Sequence, residues 1–328
     1  MYYSIKRRNF TYNIQYILSR FLNLLYKYYF IVIGAFFVGS GIYLCFYPSI
    51  SETSKIYMFV LAFISFSVYK DMRNDVKLLP FLLMSIPFLL LVLYLNRNGY
   101  AMWGKMLHWQ ISRSIIINLN PLFSIIPFND GSFARIYTSK TLTSYFRIVY
   151  NNGFVLPVLL AIYRSAISLD FKKMLRYALS AHIVQVFLIT PFYLVFHLQE
   201  VWYVLGQPDG LARNLSKNAA AGVTLNCFPS MHTSIAFAMF LLALREKDKL
   251  FKIFMSFFCM SIIFSTLYLR IHWVLDIAGG ILLAYVTVKL VDFTFAKLQP
   301  ILQKLLDKFY YKNCKVSYIY NYYLDTMN

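Results

Sequence analysis

Phe228-Pro229-Ser230-Met231-His232 and Arg270-Ile271-His272-Trp273-Val274-Leu275-Asp276 are two short polar clusters, each at the mouth of an apolar segment. Between them lie two hydrophobic runs and one charged turn, Arg245 to Lys252. If both runs cross a membrane, the chain leaves one face at His232 and returns to that face at His272. Two imidazoles and a carboxylate can then meet, and the rest of the chain is arranged around that meeting.

The composition supports the membrane premise. Hydrophobic residues make up 59% of the 328 positions and charged residues 14%, against about 25% charged in soluble domains. Mean hydropathy is +0.57. The net charge of +19 raises nucleic-acid binding, but much of it sits beside apolar runs, where positive residues set topology and favour anionic head groups. No basic patch stands apart from the spans, so no nucleic-acid partner is expected. Cys45, Cys227, Cys259 and Cys314 lack metal-ligand spacing and read as buried thiols; no metal and no cofactor is expected. No cleavable signal peptide is expected either, because Lys6, Arg7 and Arg8 precede an apolar run that no small-residue cleavage site follows.

Apolar runs long enough for helices predict eight spans, at about 30–47, 56–69, 78–95, 154–169, 177–196, 229–244, 253–269 and 272–290. Residues 1–29 are basic, with Ile14, Ile17, Leu18, Phe21 and Leu25 at helical spacing, and predict an interfacial amphipathic helix. Residues 96–150, with scattered Arg and Lys, predict an extramembrane segment of short helices, Ile115 to Ile126 being a candidate re-entrant piece. The chain thus divides into a basic N-terminal segment (1–29), a membrane domain (30–290) and a basic tail (291–328) that alternates apolar residues with lysines. The densest basic turns, at 70–77, 170–176 and 245–252, fall on one side together with both termini, which is the cytoplasmic side by the positive-inside rule. His232, His272 and the 197–227 loop then face the extracytoplasmic side.

His272 and Asp276 are four residues apart, on one helix face, so the carboxylate can bond one ring nitrogen and leave the other aimed outward. An imidazole so held is a usable nucleophile or base. The bland alternative is an anchoring pair at a helix start, with Trp273 in the aromatic belt. Pro229 and Ser230 open the sixth span, where free N–H groups form an anion site that the hydroxyl extends and that His232 adjoins. Ionisable groups at membrane depth are costly and usually functional. His182 reads as a packing residue, and His108 and His197 as interfacial.

Pro229-Ser230-Met231-His232, the two-span excursion and His272-x-x-x-Asp276 resemble the second and third motifs of the type 2 phosphatidic acid phosphatase superfamily. Phe228 to His232, Ser265 to Gly280 and Gly210-Leu211-Ala212-Arg213 look like segments of one branch, the fungal inositol phosphorylceramide synthases and their bacterial relatives. The resemblance implies an all-α polytopic membrane bundle, a six-helix lipid phosphatase-like core with two extra N-terminal spans. It also implies two-step phosphoryl transfer, with His272 as nucleophile, Asp276 orienting it and His232 as the acid. Two departures stand out: Thr266 replaces the phosphatases' Arg six residues before the second His, and no Lys and Arg-Pro first motif is evident. Ser230, Arg213, Lys217 and Arg270 are therefore the candidate phosphate-holding residues, Arg270 being equally readable as a snorkelling end residue. The expected activity is a phosphotransferase moving a phosphoryl-containing head group from a membrane phospholipid to an alcohol at the plasma membrane. Water as acceptor makes it a phosphatase, and a transporter or structural membrane protein is the reading from another class.

Overall fold

A computed structural model of the chain describes residues 20, 24, 27–72, 76, 78–111 and 116–325, with side chains described except at 96, 100, 102, 103, 106–111, 299 and 301–325. Among the described residues the chain is predominantly helical with almost no sheet, and in hydrocarbon a helix is the way a single segment bonds its own backbone. The elements are α1 (Lys27–Cys45), α2 (Glu52–Ser67), α3 (Leu78–Ile111), α4 (Asn120–Ile125), α5 (Lys140–Gly153), α6 (Leu156–Ile167) and α7 (Phe171–Ala178). A π-turn at Leu179–Ile183 carries α7 into α8 (Val184–Val195). Then come α9 (Val201–Val204), α10 (Lys217–Val223), α11 (Met231–Ala243), α12 (Lys249–Tyr268) and α13 (Val274–Asp325). A two-residue parallel pairing joins Ile117–Asn118 to Phe196–His197.

The protein is an all-α polytopic membrane protein. Five described helices are long and apolar enough to cross a bilayer: α1, Leu78–Gly99 of α3, the joined α7–α8, α12 and Val274–Leu298 of α13. A sixth crossing results if α5 and α6, bent by 60°, count as one span. This is fewer than the eight expected. The spans expected at 56–69 and 229–244 are α2, with 16 residues, and α11, with 13. At 1.5 Å per residue α11 is about 20 Å long, against about 30 Å of hydrocarbon. Its length need not match the lipid, because Ile235, Ala236, Ala238 and Met239 are fully enclosed by neighbouring helices.

Two further expectations change form. Residues 96–111 continue α3 instead of leaving it, and the segment beyond forms α4, a 3-10 turn at Ser132–Arg135 and the amphipathic α5. The tail, expected as a separate surface helix, continues α13 without a break through 52 residues, about 78 Å at the helical rise. The amphipathic helix expected at 1–29 lies mostly outside the described residues, as do the side chains of His108, Cys314 and the lysines beyond 300.

Close approach of α11 and α13 sets the core. A Cβ on Gly280 would lie 2.6 Å from the Ser230 carbonyl oxygen and 3.0 Å from Thr233 Cβ, so only glycine lets the two backbones meet there. At the opposite end of the bundle Arg164 of α6 is buried between Asp71 and Glu246, at 2.6 and 2.8 Å. Lys173 reaches Glu246 at 2.7 Å and Tyr177 donates to it at 2.7 Å.

Candidate active site

Both polar clusters sit at helix starts at one end of the bundle. Ser230 caps α11, its hydroxyl accepting from the Thr233 amide at 3.3 Å. Its own amide donates to the Asp276 carbonyl at 3.0 Å, which ties the two clusters together through the backbone. On the other side, α12 ends at Arg270 in the left-handed conformation, φ 61°, an unfavourable geometry for a side chain with a Cβ. The turn is held because the Thr266 carbonyl accepts from the amides of Ile271 (2.9 Å) and His272 (3.2 Å), while the Arg270 carbonyl accepts from Trp202 (3.0 Å). Position 266 thus serves the turn through its backbone. Its hydroxyl is buried and bonds back to Ile263 at 2.7 Å.

Asn129, from the segment after α4, caps α13 from outside: its side-chain oxygen accepts from Leu275 N at 3.0 Å and its carbonyl from Val274 N at 2.8 Å. The first turn of α13 is thereby fixed, and Asp276 with it. Asp276 Oδ2 meets His272 Nδ1 at 3.1 Å and accepts from the Trp273 amide at 3.1 Å. A carboxylate oxygen at this distance accepts, so the contact assigns the proton to Nδ1, which leaves the Nε2 lone pair free. Trp273 is not in an aromatic belt. It is 1% exposed, and its indole donates to the Gln199 carbonyl at 2.9 Å, anchoring the 197–227 loop over the site.

His232 lies opposite, its ring centroid 6.1 Å from that of His272. It is half-buried, stacked on Tyr150 at 4.2 Å and edge-on to Phe154 at 5.0 Å. The geometry allows one phosphate group to touch both imidazoles. His182, read as a packing residue, lies in the π-turn edge-on to Phe154 at 5.6 Å. His197 is half-buried beside Gln199, 3.4 Å away.

The candidate cations divide. Arg213 is engaged by two carboxylates: Nε donates to Asp209 at 2.8 Å, and its terminal nitrogens bind Glu200. Burial would raise the Asp209 pKa, but the hydrogen bonds and charge of Arg213 outweigh that and hold it below the usual carboxylate range. Lys217 is exposed at the start of α10. Arg270 is half-buried, and its Nε has no hydrogen-bond partner.

Two of the cations scattered through 96–150 share a groove on α5. Lys140 and Arg147 are seven residues apart, two turns of α5, and with Thr138, Ser139, Thr143 and Ser144 line a groove of about 630 Å3. Arg147 donates through Nε to the Gly210 carbonyl at 2.8 Å. Tyr150, one turn further on, is the ring stacked on His232, so this helix carries the groove toward the histidines. The seven-residue spacing on an amphipathic helix was the signal available in the sequence.

No curated protein and no solved structure matches the chain. Residues 176–297 match the family model described as the PAP2 superfamily, a stretch that runs from α7 into α13 and contains both polar clusters, and the match supports the type 2 phosphatidic acid phosphatase superfamily of phosphatases and phosphotransferases.

Proposed function

We propose that the chain is a membrane phosphotransferase that moves a phosphoryl-containing head group from a phospholipid to an alcohol acceptor. The observation that carries the reading is the His272–Asp276 pair at 3.1 Å facing the His232 ring. In the first step His272 Nε2 attacks phosphorus, the bond from phosphorus to the leaving alkoxide breaks, and protonated His232 gives that oxygen its proton. In the second, neutral His232 takes the proton of the acceptor hydroxyl, the new oxygen–phosphorus bond forms and the phosphorus–nitrogen bond breaks. Asp276 keeps the tautomer and steadies the imidazolium formed by attack.

In this reading Lys140 and Arg147, on the helix whose Tyr150 stacks on His232, hold the phosphoryl oxygens, and the amides after Ser230 complete the anion site. Arg270, with its unbonded Nε, is a third. Arg213 acts through the loop it pins. In this reading the site faces the extracytoplasmic side of a plasma membrane and both termini are cytoplasmic.

The test follows phosphate labelled in the phospholipid head group, using purified protein with and without glycerol, inositol or ceramide. A labelled product that appears with one acceptor and is absent in His272→Ala and Asp276→Asn supports the transferase. Label released to water under every condition replaces it with a lipid phosphatase, and full turnover by either variant removes that residue from the mechanism. His232→Ala is expected to spare a substrate with a very good leaving group; equal loss on both substrates refutes its role as the acid.

A further inference from the structure

Cys227 lies just before α11, 2% exposed, inside an apolar cluster with Trp273, Leu198 and Val201. Ligand atoms of Cys227, His272 and Asp276 lie within 4.8 Å of one another, and all three residues are buried. Independently, Asp276 Oδ1 is buried without a hydrogen-bond partner. That is a costly state for a carboxylate oxygen, and it marks a place where a ligand gains. We propose that Cys227, His272 and Asp276 form a binding site for a thiophilic divalent cation of the zinc or cadmium class, and that its occupancy switches the enzyme off.

The chemistry balances. The cation replaces the thiol proton, which leaves to solvent, and takes one thiolate, one carboxylate and one neutral imidazole. The added 2+ charge is met by the two anionic ligands, so the occupied site is electrically neutral in a low-dielectric setting. A sulfur–nitrogen–oxygen set suits zinc, with bonds of about 2.3, 2.0 and 2.1 Å that ask for shifts of about 1 Å here. Coordination through Nδ1 moves the imidazole proton to Nε2. The lone pair needed for attack on phosphorus is then gone, and the Asp276 contact that set the tautomer is taken by the metal. This inhibitory consequence rests on the function proposed above, whereas the binding itself does not.

The full chain in detergent is titrated with cadmium while its thiolate-to-cadmium charge-transfer band is followed in the ultraviolet. Saturation at one equivalent in wild type, retained in Cys45→Ser and Cys259→Ser and lost in Cys227→Ser, is expected; a band of the same size and stoichiometry in Cys227→Ser overturns the site. In parallel, lipid turnover by wild type is expected to vanish as the band saturates and to return with a chelator, while Cys227→Ser keeps turning over. Undiminished wild-type turnover at saturation overturns the switch. If wild type without metal turns over no lipid, the functional reading fails, and the band still decides the metal site.

Discussion

Arg164→Met tests the electrostatic tie that closes the bundle at the end opposite the histidines. Arg164 donates to Asp71 at 2.6 Å, Glu246 at 2.8 Å, and the Ser67 carbonyl and hydroxyl at 2.8 and 3.1 Å. Its removal strands two carboxylates whose side chains are 1% and 3% exposed. Breaking a buried pair from one side costs about 3–5 kcal/mol. Lys173, 27% exposed, still reaches both carboxylates at 3.4 and 2.7 Å, so the low end applies. A loss of about 3 kcal/mol is about a hundredfold in the folding equilibrium.

The assay is unfolding in mixed micelles by a denaturing detergent, read by tryptophan fluorescence, because all four tryptophans lie away from Arg164 in sequence. Arg164→Met combined with Asp71→Asn and Glu246→Gln should recover most of the loss, since no buried charge is then left unpaired. A single variant within about 0.5 kcal/mol of wild type, the spread of neutral surface changes, refutes the reasoning, as does a triple variant no better than the single one. The pH dependence gives a second check. Burial raises the Asp71 pKa, but the bond and charge of Arg164, with the charge of Lys173 and the Lys247 amide, outweigh it and hold it below the usual range. A depressed native pKa contributes stability that is fully present above the unfolded value of about 4 and lost as pH falls through the native one. That acid limb should shrink in Arg164→Met.

Gly280→Ala places a methyl 2.6 Å from the Ser230 carbonyl and should cost about 1–3 kcal/mol; an unchanged midpoint in the same titration excludes the close approach. Arg147→Ala should lower turnover by about ten- to a hundredfold, the value of a charge-assisted bond to phosphate, with folding intact; wild-type kinetics would remove Arg147 from the anion site. The amides of Leu211 and Arg213 donate to Asp209 at 2.9 and 3.0 Å. Because the Asp209 pKa is lowered, their hydrogen-exchange protection, corrected for intrinsic rates, should persist at neutral pH and be lost only as pH falls below the usual carboxylate range. Protection unchanged in Asp209→Asn would refute this.

The residues themselves determined the fold class and the centre of the candidate site. Recurrent apolar runs long enough to span as helices bond their own backbone within each segment, and the four-residue spacing of His272 and Asp276 makes them neighbours on any helix that contains both. The tertiary structure decided everything that depends on distance across the bundle. That α11 is enclosed by its neighbours, that Asn129 caps α13 from a distant segment and that Trp273 is an anchor follow from packing between elements far apart in sequence. The fate of each cation was equally illegible: Arg213 is tied to Asp209, four residues away, and to Glu200, which the turn of the loop brings to it, whereas Lys140 and Arg147 line an open groove. Charge is written in the sequence, but whether it is already neutralised depends on which partners the fold places within a few ångströms.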